Sequence, residues 1–132
     1  MRVLIMGCGR VGSRLATIMD KEGHTVTVID TNPKSFARLS PDFNGNPVVG
    51  DGTNEEVLRG AGAEKAQVFV AVTQGDNRNV MASQIAKELF RIPKVVTRIY
   101  DPIRQEIFKD LGLETYSPTT VLTNLIHDSI EQ

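Results

Sequence analysis

Short apolar runs alternate with longer amphipathic stretches along this chain. The runs cover 3–6, 25–29, 47–49, 68–72 and 94–99, with a weaker one at 114–116, and each predicts a strand. Between the first two, Val11, Leu15, Ile18 and Met19 recur at i, i+4, i+7 and i+8, which predicts a helix with one inward face. Val80, Ser83, Ile85, Leu89 and Phe90 suggest a second, less regular buried stripe. Asn54 or Thr53 is placed to cap a short helix carrying Val57 and Leu58. Asp101-Pro102 starts another, with Ile103, Ile107 and Leu111 expected to face inward. Ser117-Pro118 opens the last, whose apolar face carries Val121, Leu122, Leu125 and Ile126.

Strand and helix thus alternate six times. The crossovers suit parallel strands, and right-handed crossovers lay helices on both faces of the sheet. The runs are rich in Val and Ile and nearly continuous in apolar character, as strands covered on both faces are. The pattern predicts an α/β fold: a Rossmann-type doubly wound parallel sheet of six strands in the order 3-2-1-4-5-6.

Composition narrows the function classes. A length of 132 residues predicts one domain spanning 1–132, large enough to bury a core without disulfide or metal staples. A net charge of -1 gives no global attraction to nucleic acid, and aromatics at 5% leave little to stack on bases. No apolar run reaches membrane-spanning length and no signal peptide is visible, so the lone Cys8 reads as a thiol in a reducing cytoplasm.

Chemistry enters at MRVLIMGCGRVG. Gly7, Gly9 and Gly12 stand directly behind the first run in G-x-G-x-x-G spacing, with a strand before them and a helix after. Gly7 permits a tight turn, Gly9 lets backbone approach a pyrophosphate, and Gly12 lets helix and strand pack closely. The helix N-terminus offers unpaired N–H groups and partial positive charge. Asp30 closes the second run about twenty residues on, the spacing of a carboxylate that accepts ribose hydroxyls. A 2′-phosphate would face that carboxylate, and Thr31, Asn32 and Pro33 supply no arginine, so NAD or an adenosine nucleotide is favoured over NADP. Arg38 reads as a solvated helix residue and Arg14 as surface. Arg10, inside the loop, serves either terminal phosphates, a partner subunit, or solvent.

Four segments carry a family resemblance: GCGRVGS at 7–13, VVGDGTNEEVLRGAG at 48–62, VFVAVTQGDNRNVMAS at 68–83 and VVTRIYDP at 95–102. Together they resemble the TrkA N-terminal domain, also called KTN or the RCK N-lobe, of potassium channel and transporter regulators. The resemblance implies Gly7, Gly9, Arg10, Val11 and Gly12 at the phosphates and Asp30, with Thr31 beside it, at the ribose. It implies Asp51 and Gly52 at the adenine. A Thr-x-x-Asp-x-x-Asn run after the fourth strand implies Thr73, Asp76 and Asn77 where a nicotinamide or terminal phosphates would lie, with Arg98 reaching in. Read on their own, Asp51 between two glycines serves equally as a turn, Asp76 as an N-cap, and Arg98 as a surface partner of Asp101.

The resemblance further implies NAD(H) or ADP/ATP as ligand and a membrane potassium channel or transporter subunit as partner. It also implies homodimers through the last strands and helices that build an octameric ring, and a cytoplasmic place at the inner face of the membrane through that partner. Such regulators often carry a second, C-terminal ligand domain. Here the chain ends at Gln132, which fits either a one-domain member or a piece of something longer. The alternative is an NAD-dependent oxidoreductase domain lacking its substrate domain. Against it, six strands and their helices use up the length, and hydride transfer needs a second reactant held against the nicotinamide. His24 lies in the turn before the second strand, His127 lies on the last helix, and Cys8 reads as filling space. No metal-ligand spacing stands out. The expectation is a sensor with no catalytic residue and no metal.

Overall fold

The computed structural model describes residues 1–132. Six strands, β1 (Arg2–Met6), β2 (Thr25–Asp30), β3 (Asn46–Val49), β4 (Val68–Ala71), β5 (Lys94–Arg98) and β6 (Glu114–Tyr116), form one sheet in the order β3-β2-β1-β4-β5-β6. Every pairing is parallel. The order and direction are those the alternating pattern predicts. The chain starts in the middle of the sheet, winds outward through β2 and β3, then returns to wind the other way. The reversal between β1 and β4 opens a crevice at the carboxyl ends of those strands.

Helix α1 (Arg10–Lys21) joins β1 to β2, and a 3₁₀ segment, Pro33–Arg38, stands where a full helix is expected between β2 and β3. Then come α2 (Glu55–Gly60), α3 (Asp76–Gln84) with a π turn at its end (Ile85–Leu89), α4 (Pro102–Lys109) and α5 (Pro118–Glu131). The two faces of the sheet hold separate cores. One gathers Leu4, Met6, Ile29, Phe69 and Ala71 under α2 and α3, with Leu58, Ala82 and Ala86. The other gathers Val3, Ile5, Val26, Val28 and Val70 under α1, with Ala16 and Cys8.

Side-chain caps explain the starts of two of the five α-helices, α2 and α4. The Asn54 side chain accepts from the N–H groups of Glu56 (2.8 Å) and Val57 (3.3 Å), so Asn54 rather than Thr53 caps α2. Asp101 caps α4 by accepting from Ile103 N, with Pro102 at the first turn. Ser117 stands at the cap of α5, but its hydroxyl donates across to Tyr100 O at 3.3 Å.

Three expectations about helix faces are corrected. In α1 the buried residues are Gly12, Ser13 and Ala16, while Val11 and Ile18 are 49% and 54% exposed. Small residues set the contact because the helix lies almost on the loop before it: a Cβ on Gly12 would sit 1.7 Å from Gly7 O. Leu15 and Met19 only flank that contact. In α4, Ile103 and Ile107 face solvent, with Ile103 at 74% exposure, as does Leu111 in the turn just after the helix. The helix is tied down instead by Phe108, packed on Val80, Ile99 and Leu113, and by Gln105 Nε2 donating to Thr115 O. All of the expected apolar face of α5 is exposed as well, and no residue of that helix is buried.

The Gly12 contact yields a direct expectation. Gly12→Ala should destabilise the fold by about 3 kcal/mol or more, since the added methyl meets backbone and cannot rotate away. Urea denaturation measures it. A loss under ~1 kcal/mol would show that α1 can lift off the loop at little cost.

Candidate functional site

A cavity of about 800 Å³ fills the crevice at the reversal point of the sheet. Its walls are the glycine loop, the ends of β2 and β3, the β4–α3 loop, and the three residues Arg98, Tyr100 and Pro118. Of the residues expected at a ligand, Gly7, Gly9, Arg10, Val11, Asp30, Thr31, Asp51, Gly52, Thr73 and Arg98 line it. Gly12, Asp76 and Asn77 do not.

The three glycines do three different things. Gly7 has φ +110°, a conformation that L side chains rarely adopt, and its N–H donates to Ile29 O at 2.8 Å. Gly12 is the packing contact behind the loop. Gly9 has ordinary extended backbone, and a Cβ built on it meets nothing within 4 Å. Nothing inside the chain therefore requires glycine there. The space that a side chain would fill is the cavity itself. Gly9 also provides no side-chain cap for α1, so the N–H groups of the first turn lack an intrahelical acceptor at the cavity edge. That arrangement fits an oxyanion such as phosphate.

Asp30 is tied into the loop opposite. One carboxylate oxygen accepts from Cys8 N (2.8 Å) and the other from Asn32 N (2.9 Å). These bonds fix its orientation and leave lone pairs for hydroxyl donors. Asp51 Oδ1 accepts from the Thr53 amide (2.9 Å) and hydroxyl (2.7 Å). Those two bonds hold its carboxyl below the usual carboxylate range, so it is ionised at neutral pH. Gly52 is glycine for packing: a Cβ there would meet Met6 Sδ at 2.2 Å.

Four guanidinium groups, those of Arg10, Arg38, Arg78 and Arg98, line the cavity against these two carboxylates. None of the four takes part in an ion pair; the arginines that do are Arg59 and Arg104. Arg98 Nη2 donates to Val72 O (2.5 Å) and Thr73 O (2.9 Å), and its guanidinium lies 4.6 Å from the centre of the Tyr100 ring. It does not pair with Asp101. Its Nε is buried with no partner, and burial pulls its pKa down from the ordinary value. The cavity is a polar, cationic site with an orphaned donor in its wall, and it suits a phosphorylated ligand with hydroxyls.

Sequence reading missed two residues of this wall and one buried behind it. Arg38 is exposed, as expected, but it also lines the cavity, at the end of the 3₁₀ segment. Arg78 comes from the first turn of α3. The Thr-x-x-Asp-x-x-Asn spacing counted from Thr73 ends on Asn79, and Asn79 is the asparagine that is fully buried. It accepts from Thr73 N (3.0 Å) and Thr73 Oγ1 (2.6 Å), and donates to Thr73 O and Arg98 O. Asn77 is exposed and accepts from Arg104.

The family model described as TrkA-N domain matches residues 3–117. The chain belongs to the TrkA-N domain family. Its similarity to the Trk system potassium uptake protein TrkA of Streptomyces coelicolor is 50% identity over 115 residues, covering 87% of this chain and 52% of that protein. The chain thus spans about half the length of that relative.

Among solved structures, the TrkA-N domain of the Escherichia coli inner membrane protein ybaL superposes with a TM-score of 0.85 at 18% identity, over 96% of this chain and 94% of that one. The Shewanella denitrificans Kef CTD in its AMP-bound form gives 0.82 at 22% identity, over 99% and 80%. GsuK bound to ADP gives 0.79 at 23% identity, over 96% and 33%. These likenesses establish the fold. No helix of the chain is long and apolar enough to cross a membrane.

Cys8, in the loop of this TrkA-N domain, is fully buried and its thiol donates to Ser35 O at 3.4 Å. Burial raises its pKa and the Asp30 charge adds to that, with Arg38 opposing. The thiol should therefore stay protonated at neutral pH and react with Ellman's reagent only as the protein unfolds. Rapid labelling of the folded protein would contradict the described loop.

Proposed function

We propose that this domain is a nucleotide-sensing regulatory module, not an enzyme, and that the crevice binds the adenosine half of NAD(H), ADP or ATP. The observation that carries the reading is the open backbone at Gly9, beside the uncapped start of α1 and across from Asp30. In this reading Gly7, Gly9, Arg10 and Val11 hold the phosphates, with Gly12 supporting them through packing. Asp30 and Thr31 hold the ribose, Asp51 and Gly52 border the base, and Thr73 and Arg98 face the distal phosphates or nicotinamide. The excess of unpaired guanidinium over carboxylate favours an anionic ligand. The AMP and ADP in the Kef and GsuK structures are consistent with an adenine nucleotide here.

The regulated partner is, in this proposal, a membrane potassium transporter or channel subunit, as the name of the Streptomyces relative suggests. The domain then works in the cytoplasm at the inner face of the membrane. Self-association would use the unpartnered helices. Ile103 and Ile107 on α4, and Leu122, Leu125, Ile126 and Ile130 on α5, form apolar surface that the chain itself leaves uncovered. We propose homodimers through these helices, building a ring in the assembled regulator. A nucleotide would shift the assembly only through unequal affinity for two arrangements of the subunits.

Titration calorimetry with ATP, ADP, NAD and NADH tests the proposal, with Gly9→Val as control. Asp30→Ala is a poorer control because Asp30 also holds the Cys8 and Asn32 amides. Gly9→Val should keep stability within about 1 kcal/mol, since only a cap preference changes. It should weaken binding at least tenfold, about 1.4 kcal/mol. Silence toward all four nucleotides would overturn the proposal, as would undiminished binding by the variant.

A further inference from the structure

Asp76 is expected at the ligand, yet it lies outside the cavity, and its carboxylate is engaged elsewhere. Oδ1 accepts from Tyr100 N at 2.8 Å and Oδ2 accepts from Asp101 N at 3.2 Å. Three residues on, the buried Asn79 donates to Arg98 O at 2.9 Å. The first turn of α3 therefore grips the backbone just after β5 at three points. The last sheet hydrogen bond of that segment is Ile99 N to Tyr116 O, so the Tyr100 and Asp101 amides have no ladder partner. The Asp76 carboxylate is what satisfies them, through charge-assisted bonds stronger than neutral ones.

The gripped segment is also a wall of the cavity. Arg98 and Tyr100 both line it, with the guanidinium against the ring. Tyr100 O accepts from the Ser117 hydroxyl, and Pro118, the next residue, lines the cavity and opens α5. Asp101 caps α4. The cavity wall and the two apolar helices thus depart from one corner, which the Asp76 carboxylate and Asn79 hold from behind.

We propose that Asp76 is a positioning residue for the ligand: it touches no ligand itself and holds the Arg98–Tyr100 wall in its binding arrangement. This rests on the nucleotide reading of the crevice. Without the carboxylate the Tyr100 and Asp101 amides lose their acceptors while Asn79 still holds Arg98 O, so the Tyr100 part of the corner is loosened, and a ligand must then order it on binding, which weakens affinity. The loss acts through Tyr100, so it disappears once the Tyr100 ring is gone.

A double-mutant cycle reads this, using calorimetry with ATP and NADH on wild type, Asp76→Ala, Tyr100→Ala and the double variant. Asp76→Ala should weaken the binding ligand about tenfold, and adding it to Tyr100→Ala should cost nothing further. Asp76→Asn keeps one acceptor oxygen and should fall between; it also replaces Asp76→Ala in the cycle if the alanine variant does not fold. Losses that multiply in the double variant would mean that Asp76 supports only the fold, and wild-type affinity in Asp76→Ala would mean that it positions nothing. Either result overturns this inference alone. A wild type that binds no nucleotide overturns the crevice reading and this inference with it.

Discussion

The contact on which the rest depends is the approach of α1 to its own loop, with Gly12 against Gly7 O. Hydrogen in place of a side chain brings the helix start into the crevice between β1 and β4. The same contact fixes which face of α1 is buried. It forces Ala16 and Ser13 inward and turns Val11 and Ile18 out. Gly7 follows from it too, since the chain must turn with positive φ while its amide reaches across to Ile29 O. Placement of the cavity is thus a packing consequence before it is a binding one.

Charge is distributed by the same logic. The carboxylates at the crevice are satisfied by nearby backbone and hydroxyl donors: Asp30 by Cys8 N and Asn32 N, Asp51 by Thr53. The guanidinium groups are left without acidic partners. Concentrating cations on a concave surface costs self-repulsion, and a bound anion relieves it. An architectural glycine turn would need neither the four arginines nor the open space at Gly9. Both are explained when the crevice serves a phosphorylated ligand.

The fold was legible in the sequence because the inner strands, covered on both faces, show as nearly continuous apolar runs; the edge strands β3 and β6 are shorter and more exposed, and β6, Glu114–Tyr116, gave only a weak sign. Helix faces were harder to read. Periodicity marks large apolar residues, but α1 packs through Gly12 and Ala16, while α4 and α5 carry isoleucine and leucine outward. A stripe that faces a partner has the same spacing as one that faces the core. At the crevice, the glycine loop and Asp30 stood out because their roles are tied to a fixed register along the chain. Arg38 and Arg78 did not, since a lone arginine on a helical turn carries no local sign of which way the turn faces. Asn79 was within reach: the motif spacing ends on it, and only Asn77, two residues earlier, was singled out.

Where the phosphates rest decides the account. A crystal structure of the domain grown with ADP measures this directly. The diphosphate should lie against Gly9 and the amides of the first turn of α1, with the ribose hydroxyls on Asp30. A nucleotide bound anywhere else on the domain, with the crevice at Gly9 filled by protein or left to solvent, would contradict it.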